Sequence, residues 1–124
     1  MNRTVLQEIS KMRAGEAKQL LDAGFFDGAR YLIGYAVECA LKACIAKQIK
    51  AHDFPDKNLI TNAYTHDLDK LVSIAGLGQE MAKSRKKNAG FDRNWAIAKD
   101  WSEAFRYNLN TKQKEADVTF DIIF

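Results

Sequence analysis

Apolar residues recur along most of this chain at a spacing close to 3.6, the period of an α-helix. Over Thr4 to Ala23, the residues Val5, Ile9, Met12, Ala17, Leu20 and Leu21 make one apolar stripe. Lys11, Glu16, Lys18 and Asp22 occupy other faces. The next stretch, Gly24 to Lys50, is different in kind. Phe25, Phe26, Ala29, Leu32, Ile33, Ala36, Val37, Ala40, Leu41, Ala43, Ile45 and Ile49 point in several directions. A helix that is apolar nearly all round is buried on most sides, so this stretch is predicted to be the central helix. Gly24 provides the stop between the two helices. Such a short connection predicts antiparallel neighbours.

Residues 51–65 hold the only proline, Pro55, together with Asp and Asn, and read as a loop. A short helix is predicted from His66 to Ala75, capped by Thr65, with Leu68, Leu71 and Val72 on its buried side. Residues 79–94 are the most basic part and read as a solvated helix end and loop. The alternative for that run, with Phe91 and Trp95 nearby, is a surface that holds phosphates and stacks bases. A further helix is predicted from Asp92 towards Tyr107, with Trp95, Ala98, Trp101 and Phe105 facing the core. A last one begins after Asn110 with Thr111 as cap, and its apolar end, Phe120 to Phe124, needs burial in the core or in a partner. The pattern as a whole predicts an all-α, up-and-down antiparallel bundle of five to six helices, forming a single domain over residues 1–124.

Composition narrows the class further. A chain of 124 residues, 47% hydrophobic and 28% charged, is long enough for one core and too short for two. A net charge of +3 permits contact with nucleic acid without arguing for it. The start, MNRTVLQEIS, lacks the pattern of a signal peptide. No run is long and apolar enough to span a membrane. Cys39 and Cys44 point about 140° apart on one helix, which does not suit a disulfide, so reduced thiols and a cytoplasmic location are expected. No spacing of Cys and His resembles a metal site, and no Gly-rich phosphate loop points to a cofactor.

The chemistry available lies on the central helix. Tyr31, Tyr35, Glu38 and Lys42 share one narrow sector at 100° per residue. Glu38 and Lys42 have the spacing and order of a helix ion pair. Gly34, beside that sector, allows another chain segment to approach closely. His66, at the start of the next predicted helix, is expected to be a hydrogen-bonded structural residue, with a ligand or proton carrier as the alternative.

The runs AKQLLDAGFFDGARYLIGYAVECALKACIAK, THDLDKLVSIAG and DWSEAFRYN carry a resemblance to HEPN domains. The likeness covers about residues 5–118. It implies a helical bundle that forms a homodimer. It also implies a place in a toxin–antitoxin, stress or phage-defence system, often beside a nucleotidyltransferase antitoxin. Many members are metal-independent endoribonucleases with an Arg-x(4–6)-His motif. Arginine there holds the scissile phosphate, and histidine moves the proton of the 2′-hydroxyl. This chain departs from the motif. Arg106 stands where the arginine could be, but no histidine follows it, and the two histidines, His52 and His66, lie far upstream. Two functions are therefore weighed. The first is a non-catalytic module that binds RNA or a nucleotide through Tyr31, Tyr35, Lys42 and Arg106. The second is an endoribonuclease with an altered site, in which Arg106 and Tyr107 bind phosphate while Glu38 or His66 handles protons.

Overall fold

A computed structural model describes residues 2–49, 54, 57–107, 109 and 111–117, apart from the side chains of Leu59, Ile60 and Arg106. His52, Pro55, Asn110 and the apolar end Phe120 to Phe124 lie outside the described residues. The chain is all-α: α1 (Arg3–Asp22), α2 (Phe26–Ala46), α3 (Lys57–Ala63), α4 (Leu68–Ile74), α5 (Gly78–Lys87) and α6 (Ala89–Ala98). A 3₁₀ turn over Glu103–Tyr107 and a helical turn over 113–117 follow. No strand occurs among the described residues.

The first two helices form the hairpin that the Gly24 turn predicts. Gly24 takes a φ of 87°, a left-handed conformation that a side chain would resist. Leu6 then packs with Cys39 and Ala43, and Ala14 and Ala17 pack with Ile33 and Ala36. That pairing runs in opposite directions along the two helices, so they are antiparallel. Small residues dominate the seam, and the hydroxyl of Ser10 donates to the Ala36 carbonyl across it at 2.6 Å.

A second face of α2 builds the main core. Val37, Leu41 and Ile45, each four apart, pack with Leu68, Leu71 and Val72 of α4 and with Trp95, Ala98 and Trp101. Two apolar faces on one helix explain the all-round pattern. Within α2 only Ala40 and Cys44 are left exposed.

Three sequence expectations are corrected. Residues 57–63 are helical, although Pro55 and the nearby Asn and Asp suggest a loop. The cap of α4 is Asp67, whose carboxylate accepts from the Lys70 amide at 3.1 Å, and Thr65 instead accepts from the Asp67 amide. The helix predicted from Asp92 to Tyr107 ends at Ala98. The chain then turns so that Trp101 is seated on α2 at Gly34, where a Cβ would fall inside the indole.

Gly34→Ala should therefore destabilise the fold by about 1–3 kcal/mol, the range for overpacking a full core. Chemical denaturation measures it, and an unchanged midpoint would show that the indole does not need the glycine.

Candidate functional site

The polar sector of α2 forms as the spacing implies, and the fold adds partners that the sequence does not reveal. Glu38 is 4% exposed. Lys42, one turn on, places its ammonium 3.5 Å from Glu38 Oε2. The nearer partner is His66, whose Nδ1 lies 2.6 Å from Glu38 Oε1. The other ring nitrogen, Nε2, lies 3.0 Å from Glu103 Oε2 in the 3₁₀ turn. One imidazole thus links α2, the segment before α4 and the turn after α6. His66 is thus hydrogen-bonded on both sides.

Tyr31 and Tyr35 lie along the same sector. Their rings meet edge to face with centroids 5.0 Å apart, and Tyr35 meets the Trp101 ring in the same way at 5.3 Å. A hydrogen bond with Tyr31, and then burial, push the Tyr35 phenol up to about 12; the charges of Glu38 and Glu103 add to this. Burial also raises the Cys39 thiol, with Glu38 contributing next. Tyr31 and Tyr35 are therefore tied into the packing around Trp101. Both are half-buried.

The turn that carries Arg106 and Tyr107 packs on α2. Tyr107 is 74% exposed, and the side chain of Arg106 is outside the described residues. A shallow cavity of about 310 Å³ opens beside His66. Asp67, Asp100 and Glu103 line it, against Lys99, with Trp101 and Ser102 completing the wall. The mouth is therefore predominantly acidic. Among the described residues, no three His, Cys, Asp or Glu side chains are grouped so as to hold a metal ion. No described helix is long and apolar enough to cross a membrane.

Arg30 was not singled out from the sequence, yet it is 5% exposed. Its guanidinium donates to Glu115 Oε2 at 2.6 Å and to the Ile97 carbonyl at 3.3 Å, and lies 4.6 Å from the centre of the Phe105 ring. The signal was present. Arg30 lies four residues before Gly34, on the face that receives the later chain. Its contact with Glu115, and the Thr111 amide bonded to Asp27 at 2.8 Å, hold segment 111–117 against the start of α2.

Two measurements test this arrangement. A double-mutant cycle of Glu38→Gln with His66→Gln should give a coupling of about 1–2 kcal/mol, modest because His66 is partly solvated. The Glu38→Gln and Lys42→Gln cycle should give less, because that pair is longer. A Glu38–His66 coupling within error of zero would show that this contact does not tie α2 to the segment before α4. The second test is an alkaline titration followed by tyrosinate absorbance. The folded Tyr35 pKa lies above the ordinary phenol value near 10, so the neutral form is favoured in the fold. Its contribution to stability is fully present below about pH 10 and is lost as pH rises towards 12. One tyrosine should ionise late, and Tyr31→Phe should bring it earlier; a late phase that survives Tyr31→Phe would clear Tyr31 as the cause.

No protein-family model, curated protein or solved structure matches the chain.

Proposed function

We propose that this protein is a non-cleaving RNA- or nucleotide-binding module of the HEPN type. In this reading it acts as a homodimer in a toxin–antitoxin, stress or phage-defence system, beside a partner such as a nucleotidyltransferase antitoxin. The resemblance supplies the dimer, the partner and the setting. The non-cleaving part rests on one observation: both ring nitrogens of His66 face carboxylates, at 2.6 Å and 3.0 Å. Cleavage through the 2′-hydroxyl needs a base that presents a lone pair within hydrogen-bond reach of that proton. A ring held on both sides by acceptors presents none.

The second reading is an endoribonuclease with an altered site. It is favoured by the fact that His66 joins Glu38 to the turn bearing Arg106 and Tyr107. If Glu103 swings away, His66 or Glu38 would take the proton and Arg106 would hold the phosphate.

Purified protein incubated with total RNA in chelator separates the two, with Arg106→Ala beside it. The expected outcome is salt-sensitive binding with the RNA left intact. Rapid cleavage that Arg106→Ala abolishes would sink the non-cleaving reading and establish the enzyme. Light scattering on the same samples should report a dimer; a monomer at micromolar concentration would remove the dimer from the proposal.

A further inference from the structure

We infer that single-stranded RNA lies along the face of α5 that bears Lys83, Lys86 and Lys87, and not in the polar sector of α2. The inference rests on the RNA-binding reading above and gives it a place. The polar sector is unsuited to a phosphate backbone. The Lys42 ammonium is directed at Glu38, and His66 sits between Glu38 and Glu103. Asp67, Asp100 and Glu103 line the cavity mouth against Lys99 alone. A phosphodiester entering there meets more negative charge than positive.

The α5 face is the reverse. No residue of α5 is buried, so its lysines are not there to fill the core. Lys83, Lys86 and Lys87 stand at i, i+3 and i+4, on one side of the helix. All three are exposed, as is Arg93, and none of them pairs with another described residue. Arg85 behaves differently: it is bonded to Asp92, which ties α5 to α6 and leaves the lysines to solvent. An open concavity of about 570 Å³ lies beside them, lined by Lys83, Arg85, Lys86 and Asp92 around Ala82.

Helix stability accounts for only part of this cluster. The helix dipole favours Lys86 and Lys87 in the last turn, an effect that fades within that turn. It gives no reason for Lys83, and like charges at i and i+4 work against the helix. The aromatics near this run do not make a stacking platform. Trp95 is 2% exposed and Phe91 packs on the core. The binding is therefore to backbone phosphates, tolerant of sequence and sensitive to salt.

The test is fluorescence anisotropy of the full chain with a short labelled single-stranded RNA over a salt series. Three or four neutralised phosphates, at about 0.7 per contact, predict a log–log slope of about −2 to −3. Lys83→Glu with Lys86→Glu should weaken binding about tenfold and flatten the slope by about 1.4. Arg3→Glu with Lys11→Glu, on the exposed face of α1, changes the net charge equally and should cost less than about twofold. Equal losses in both variants would overturn the placement, because net charge alone would then explain binding. An oligoglutamate peptide that binds as tightly as the RNA would overturn it in favour of an acidic protein partner. If the charge reversal lowers the thermal melt, Lys83→Gln with Lys86→Gln must reproduce the same ordering. Wild-type protein that binds no RNA would remove the functional reading and the placement together. Wild-type binding that survives Lys83→Glu with Lys86→Glu removes the placement alone.

Discussion

The indole of Trp101 rests on the backbone of α2 at Gly34, and the rest of the candidate site depends on that contact. Glycine inside a helix costs about 1 kcal/mol relative to alanine. Burying a tryptophan removes about 150–250 Å² from water, worth at most about 4–6 kcal/mol at the usual coefficient. The glycine is therefore a net gain wherever it is what lets the ring in. Once the ring is seated, the chain after α6 must recross α2. Glu103 then comes to His66, Phe105 comes beneath Arg30, and the rings of Tyr31 and Tyr35 close around the indole. The indole nitrogen has no hydrogen-bond partner among the described residues. It lies against the bare helix backbone at Gly34.

The same docking makes α2 burial possible. Two charged residues on this helix, Arg30 and Glu38, are buried. A charge removed from water costs several kcal/mol unless it is paired and hydrogen-bonded. Glu38 has a partner one turn away in Lys42, but its shortest contact is His66. Arg30 has Glu115, the Ile97 carbonyl and the face of Phe105. Apart from Lys42, those partners come from the later half of the chain. Burial of α2 and assembly of the polar cluster are therefore one event.

How much of this was legible follows from where the information lies. The α1–α2 hairpin is local: its stripes, its Gly24 stop and the narrow Tyr31, Tyr35, Glu38, Lys42 sector read directly from a 3.6 period. That His66 would be hydrogen-bonded was legible from its place at a helix start, but not the identity of Glu103 as its second partner, which is set by the break after Ala98. That break was hidden because Trp95, Ala98, Trp101 and Phe105 also satisfy helical spacing. Apolar residues are drawn to a core whether they continue a helix or leave it, so periodicity cannot separate the two. The α3 segment was hidden for the opposite reason, since Asn and Pro signal a turn even where packing on α4 holds a short helix. Arg30 was passed over because arginine is ordinarily a surface residue.

The modest net charge of +3 conceals a separation of sign. Carboxylates gather around His66, where they are used to hold a histidine and a turn in place. Free ammonium groups gather on α5, which contributes no buried residue. At physiological salt, exposed charges act over about 8 Å, so each region presents its own sign to whatever touches it. The aromatic and polar sector that first suggests a binding cleft is thus largely consumed by internal structure. Its carboxylates hold Lys42 and His66, and its tyrosines pack against the tryptophan. A group approaching that cavity would be favoured if it were cationic or dipolar. An anionic group would be favoured instead at α5, whose exposed lysines pair with no described carboxylate. The polar sector most visible as chemistry in the sequence is tied into the fold, and the basic run of α5 is left exposed to solvent.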